Sequence, residues 1–488
     1  MNKSSAKSRT SELDVALDGV KPVTLSFNGE DVSGNGGVLL VAQVEKLTQL
    51  LKGASARLND HRTSSLVKHN MFEQIAQRVF QIISGYTATS DSNSLRFDPA
   101  LKMAVGRNPV SGAPLASQPT QSRFENSRTW SELYRLCEWL VDYYIQCHPR
   151  RPKAITLDFD GSAIETHGLQ LHAFWRGGPY AKFMYFPLFV FDEHGWLLVA
   201  ALRPGDHGEV TWSLPVLKRL VRRLRNAWPG LPITVRADGA FTDAEFYKWM
   251  DENEVNYVLG MKHNNVLLTY SKSARQKAGK KFYRKFGEPL FCGKEGAKLK
   301  LETIKYIRDI RDPKERAEAN EALTRRNVRV FDEFQYAAST WSRKRRVICR
   351  VDFADDGLNV RYVVTNIERF SAAQIYKDIY CKRSRAEMWI KHIKETECQR
   401  LSCAQFKSNM FRLLLHAFAY LLMHQVSKSI FGDDVVSMNQ LRDKYVRVPF
   451  HVVETRSAVH VRFSASYLHA HLFRLGAKRL HMRTLMAA

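Results

Sequence analysis

At 488 residues, 44% of them hydrophobic, the chain has room for roughly two to four domains and a substantial core, which excludes a disordered tail protein. Its 74 Lys and Arg against 49 Asp and Glu leave a formal charge of +25, spread along the whole length, so a polyanionic partner is expected, and for a soluble protein that means nucleic acid. The opening MNKSSAKSRTSELD has no apolar h-region, and the seven cysteines lack C-x-x-C spacing. Secretion, a disulfide framework and a zinc site are thereby disfavoured, and a cytoplasmic location is expected, nucleoid-associated given the charge.

Residues 1 to about 20 are polar and read as loose. GNGGVLLVAQVEKLTQLLKG follows, and because no G-K-[ST] comes after its glycines it reads as a turn and helix start rather than a phosphate cradle. Amphipathic segments around Phe72 to Ile83 and Trp130 to Ile145 frame the turn-rich GRNPVSGAPLASQPTQSR, so residues 1–150 are expected to be a mostly helical domain. The aromatic positions Trp130, Tyr134, Trp139, Tyr143 and Tyr144 are expected to pack a core.

The period then changes. AITLDFD, KFMYFPLFVFD, GWLLVAALR, PITVRAD and NYVLGM read as strands, with helices at SLPVLKRLVRRLRNAW and DAEFYKWMDE. That order predicts an α/β fold over 151–265, a mixed sheet with flanking helices. Residues 266–375 open with the base-dense SKSARQKAGKKFYRKFG and continue into RRVICRVDF and NVRYVVTNI, which predicts a basic, largely β insertion. The core would resume over 376–430, where MFRLLLHAFAYLLMHQV is too interrupted by Arg412, His416 and His424 to span a membrane and reads as a buried helix. Residues 431–488 form a basic, partly strand-like C-terminal region.

Two aspartates stand at strand ends, Asp160 in LDFDG and Asp238 in VRADG, the place where α/β sheets gather active groups. Side-chain alternation puts Asp158 and Asp160 on one face, so Asp158 is an alternate to Asp160. An aspartate before glycine is also a common turn residue. In YCKRSRAEMWIKHIK, Glu387 is a lone acid among Lys, Arg and His. At about 100° per residue, Tyr380, Arg383, Glu387, Lys391 and Lys394 fall in one helical sector of roughly 80°, beside an apolar sector of Ile379, Ala386, Ile390 and Ile393. An Arg383–Glu387 pair is the plain alternative. Three converging carboxylates would repel by roughly 4 kcal/mol per pair at 4 Å and effective dielectric 20, so a cation is needed among them. Oxygen-only ligands suit Mg²⁺, with Mn²⁺ substituting, and two such ions would clamp an in-line phosphoryl displacement.

The stretches GRNPVSGAPLASQPTQSRFEN, LDFDGSAIETHGLQ, YFPLFVFDEHGWLLVAALRPGDHG, VRADGAF, YVLGMKHN, YVVTNIERF and YCKRSRAEMWIKHIKE together resemble bacterial insertion-sequence transposases of the DDE type, and within them the family numbered thirteen-eighty. The last stretch fits the Y-x2-R-x3-E-x6-K signature of related transposases. The resemblance implies an RNase H-like core, with Asp160, Asp238 and Glu387 as the metal-binding triad and Arg383, Lys394 and Tyr380 on the DNA. Lys391 joins them as a further basic candidate, and SQPTQSRFE in the N-terminal domain is either part of a helical element that binds DNA ends or a loop leading into a core helix. Water would cut the element end, and the freed 3′-hydroxyl would attack target DNA. Double-stranded DNA is the implied partner, held by a homodimer in a synaptic complex. The alternatives are an RNase H-like nuclease without strand transfer and an inactive DNA-binding regulator.

Overall fold

A computed structural model describes residues 13–15, 23–25, 31–178, 180–208 and 210–487. The polar stretch to about residue 20 lies, apart from 13–15, outside them. Instead of five consecutive segments, the chain forms two compact units: one of residues 133–394 and 399–414, the other of 1–132, 395–398 and 415–488.

The first unit is built on an eight-stranded sheet. Its strands in chain order are β1 Ile155–Gly161, β2 Leu188–Asp192, β3 Leu197–Ala201, β4 Ile233–Ala237, β5 Asn256–Met261, β6 Asn327–Tyr336, β7 Arg345–Ala354 and β8 Gly357–Thr365, ordered β6-β7-β8-β5-β4-β1-β2-β3 across the sheet. Strands β1, β4 and β5 run parallel, while the pairings on either flank of this trio are antiparallel. Parallel neighbours need a crossover. α1 Ser213–Ala227 leads into β4, and α2 Ala244–Glu252 carries the chain from β4 to β5. Leu217, Leu220, Val221 and Leu224 of α1 are buried in the same core as Leu157, Phe159, Val235 and Tyr257. Part of the basic face of α1 is anchored rather than free: Arg223 pairs with Glu138 and Asp142, and Arg225 donates to the carbonyls of Asn253 and Glu254. KFMYFPLFVFD is two strands, Lys182–Tyr185 and β2, parted at Phe186-Pro187, where proline has no ladder donor. Of the five aromatics, Trp139, Tyr143 and Tyr144 are buried, but Trp130 and Tyr134 are exposed.

The expected β insertion differs. Its first half is helical: Asn265–Tyr270, Lys272–Phe286, Gly293–Asp309 and Pro313–Arg325. The dense bases conceal a four-residue spacing, Ala274, Ala278 and Phe282, whose buried face meets Phe353 of β7 with ring centroids 5.0 Å apart. Its second half, β6 to β8, extends the core sheet through the β5–β8 pairing.

The second unit contains helices Val38–Thr48, Met71–Ile83, Pro99–Ala104 and Gln118–Asn126, and a buried Arg78–Glu125 pair at 2.7 Å ties the second of these to the fourth. Asn70 and Glu73 close a capping box on Met71–Ile83. The glycine cluster is stitched into the backbone: Gly36 N–H donates to the Val448 carbonyl and Gly37 N–H to that of Val446. The strand-like tail supplies Phe450–Glu454 and Val459–Phe463, paired with each other. Within Phe406–Phe431, residues 415–423 are buried, and no helix of the described residues is long and apolar enough to cross a membrane.

Candidate active site

Strands β1 and β4 run side by side with Asp158 opposite Arg236. Asp158 is fully buried and takes a two-point ion pair, Arg236 Nε to Oδ1 at 2.7 Å and Nη2 to Oδ2 at 2.6 Å. It is therefore engaged with Arg236, which makes it the weaker of the two candidates. Two residues further, Asp160 and Asp238 occupy the ends of the adjacent strands. Asp238 also serves its turn, since its carboxylate accepts from the Ala240 N–H at 2.9 Å.

The third acid arrives on α3, Ser384–Lys394. Ala386, Ile390 and Ile393 are buried as the sector reading expects, and so are Trp389 and His392. Trp389 lies over the β2–β3 turn, where a Cβ on Gly195 would come within 2.8 Å of its ring, and Gly195 has φ +87°, so only glycine fits. This fixes the buried side of α3. The preceding residues do not continue one α-helix. Ile375–Ile379 is π-helical and Tyr380–Arg383 is a 3₁₀ turn. The Ile379 carbonyl accepts from Arg236 Nη1 at 2.9 Å, and such an outside donor diverts a carbonyl from the regular ladder.

Arg383 links the acids. Its Nη1 donates to Asp160 Oδ2 at 3.2 Å and its Nη2 to Glu387 Oε1 at 2.8 Å. The Glu387 side chain is 61% exposed, whereas those of Asp160 and Arg383 are 12% and 15% exposed. Burial, opposed by Arg383 and reinforced by the fields of Asp238 and Glu387, pushes the Asp160 pKa up to about 7. Burial works against the Arg383 charge, yet Asp160, Tyr380, Asp238 and Glu387 together raise its pKa above the ordinary arginine value. Tyr380 is raised by burial, with Arg383 opposing and Asp238 adding. Its hydroxyl lies where a Cβ on Gly260 of β5 would be, 2.6 Å away, so this glycine admits the phenol beside the Asp238 turn. Lys394 Nζ donates to the Ala163 carbonyl at 3.2 Å, and Lys391 is exposed.

The donor set is all oxygen and suits a hard divalent cation. Among the described residues, no three acidic, His or Cys side chains are gathered closely enough to enclose one. Arg383 supplies the positive charge between Asp160 and Glu387 instead. The residues thus fit a divalent-ion site provided that Arg383 and the exposed Glu387 rearrange.

Arg236 and Gly260 escaped the sequence reading. An arginine in the middle of a parallel strand demands an acid at the same height on its neighbour, and Asp158 in LDFD was that signal.

Acids at adjacent parallel strand ends, with a third on a following helix, define a mixed α/β core that carries carboxylates at the carboxyl ends of its strands. The chain belongs to the family described as transposase DDE domain group 1, which it matches over residues 15–484. It is similar to the cryo-EM structure of a piggyBac transposase synaptic complex with hairpin DNA, with a TM-score of 0.40 and 9% identity over 92% of this chain and 81% of that one. No curated protein matches it.

Proposed function

We propose that this transposase binds the ends of a bacterial insertion sequence, cleaves the DNA and joins the 3′-hydroxyl ends to target DNA. The observation that carries this is the shared electrostatic neighbourhood of Asp160, Asp238 and Glu387, acids 78 or more positions apart in sequence, around Arg383. Asp160, Asp238 and Glu387 would hold two Mg²⁺ ions, or Mn²⁺ in their place. Bound there, the ions would stabilise charge on the attacking and leaving oxygens of an in-line displacement.

The protein's own groups do the rest. Strands β1 and β4 hold the two aspartates in fixed register, and Trp389 seated on Gly195 keeps Glu387 on the outward side of α3. Arg383 balances the acids in the metal-free protein. Once they are neutralised otherwise, its planar fork is released to grip a phosphodiester. Lys391 and Lys394 follow the backbone as point charges, and Tyr380 packs against terminal nucleotides. Two DNA ends are brought together by a homodimer.

Incubating the purified chain with duplexes carrying the element's own ends, with and without Mg²⁺, tests the proposal. Cut and inserted products are expected only with Mg²⁺. Cutting without insertion would instead make the protein a nuclease, and full activity of Glu387→Gln would remove Glu387 from the triad.

A further inference from the structure

Among the described residues the Glu387 carboxylate has one hydrogen-bonding partner, Arg383, and its side chain is mostly exposed. An acid so loosely tethered takes its position from the helix that carries it, and the buried side of that helix sets its aim. Trp389 follows Glu387 by two residues, about 200° around α3, so seating the indole inward turns the carboxylate outward. The seat is the β2–β3 turn, and it is tied down from several directions. Asp192 Oδ1 accepts from the N–H groups of His194 and Trp196 at 2.9 and 2.8 Å, the two residues that flank Gly195. Its Oδ2 accepts from the Tyr144 hydroxyl at 3.1 Å, and the Gly195 N–H donates to the Asp192 carbonyl at 3.2 Å. Glu193 Oε2 accepts from the Thr156 N–H at 2.8 Å, which fastens the turn to β1. The Trp196 ring packs edge-on against His148 and Tyr144, with centroids 5.0 and 6.1 Å apart.

A hairpin turn needs no buried carboxylate, and burying one is costly unless its oxygens are satisfied. Asp192 is 1% exposed, and both its oxygens are engaged. We propose that Asp192 is a positioning residue for the reaction: by locking Gly195 between two N–H groups bound to one oxygen, it fixes the platform under Trp389 and so the direction in which Glu387 is presented. Asp192 acts through Gly195 and Trp389 and does not meet the reacting atoms itself. A displacement of about 1 Å caused far from the chemistry is enough to cost about 10²-fold in rate, so a seat of this rigidity has a catalytic consequence. The inference rests on the reading of Glu387 as a metal-binding acid of a transposase and adds to it the part of the fold that aims this acid.

The test compares substitutions in the full chain. Asp192→Leu removes both acceptor oxygens, whereas Gly195→Ala keeps them and sets a Cβ 2.8 to 3.0 Å from three ring atoms of Trp389. Asp192→Asn keeps an oxygen for the two N–H groups and offers the Tyr144 hydroxyl an amide donor. Leu224→Ala, in the same core but on α1, is the control for lost stability alone. Amide hydrogen exchange of residues 384–394 relative to β4, read by mass spectrometry without metal or DNA, is expected to quicken about tenfold or more in Asp192→Leu and Gly195→Ala. In Mg²⁺-dependent cleavage the same two variants should lose about 10- to 100-fold in kcat with KM for duplex within about twofold. Asp192→Asn and Leu224→Ala should stay within about threefold of the parent in both measurements. Unchanged exchange of α3 in both Asp192→Leu and Gly195→Ala would overturn the proposal. So would a loss of kcat in Leu224→Ala equal to theirs, which is what destabilisation alone gives, or an equal loss in Asp192→Asn, where the turn is kept. If Asp192→Leu does not fold, Gly195→Ala decides. A parent chain that cuts no DNA with Mg²⁺ removes the transposase reading, an outcome distinct from failure of the seat, which the exchange measurement reads by itself.

Discussion

Two regions of this protein solve opposite electrostatic problems. At the ends of β1 and β4, acids outnumber the cation that holds them: Asp160 and Glu387 lean on Arg383, and Asp160 is pushed toward neutrality. In the helical unit the surplus is reversed, and Lys68, Arg96 and Arg123 line a cavity whose acids already have partners. An excess of acid invites a small, hard cation, whereas an excess of base invites an extended anion. Under the proposed function, holding a polyanion and cutting it would draw on both.

The contrast is broken most directly by separating chemistry from binding. Asp160→Asn, Asp238→Asn or Glu387→Gln is expected to reduce Mg²⁺-dependent cleavage and joining by on the order of 10³-fold or more, while duplex affinity in EDTA is retained. Gel assays of the product beside anisotropy measure the two arms, and equal loss in both would erase the division. A comparable effect, on stability, is expected from Arg236→Met. It strands the buried Asp158 and should cost about 3–5 kcal/mol in urea unfolding, with Asp158→Leu in the same chain recovering most of it.

Smaller is the effect of relieving the acid site of its arginine. Arg383→Gln should bind Mn²⁺ at least about fivefold more tightly, followed by electron paramagnetic resonance, because a cation no longer competes for Asp160 and Glu387. Weaker Mn²⁺ binding would mean that Arg383 organises the acids rather than standing in for a metal.

The smallest concerns pH. Asp192 is buried, accepts from the N–H groups of His194 and Trp196 and from the Tyr144 hydroxyl, and burial raises its pKa to about 7. A carboxyl raised in the folded state contributes stability that is complete below about pH 4 and is lost as pH climbs through about 7. Melting temperature should therefore decline between about pH 4 and 7 and level off above that, and Asp192→Asn should flatten the decline by a few degrees.

How much of this was legible depended on range. Strand alternation and the glycine after each aspartate exposed β1, β4 and the two strand-end acids, because those signals lie within a few neighbouring residues. The spacing Ala386, Ile390, Ile393 likewise announced the buried side of α3. Partnerships across the fold stayed hidden. A mid-strand arginine and an acid in LDFD hint that Arg236 needs a partner, but only the register of β1 on β4 makes that partner Asp158, and no local pattern says that the Ile379 carbonyl will be drawn out of its helix. The helices over 265–325 were hidden for a different reason. Their apolar face is narrow, made of alanine and a few larger residues, and dense charge swamped its period.

The contact of Arg236 with both Asp158 and the Ile379 carbonyl works as a rivet through three distant pieces of chain. It pins the approach to α3 onto the middle of the sheet, where Ile375 and Tyr376 also pack against Val258 of β5, Ile348 of β7 and Val363 of β8. Whatever the polypeptide does between β5 and β6 is then mechanically irrelevant to where the glutamate begins its helix. That excursion is free to grow, shrink or acquire new surfaces over generations without detuning the carboxylates.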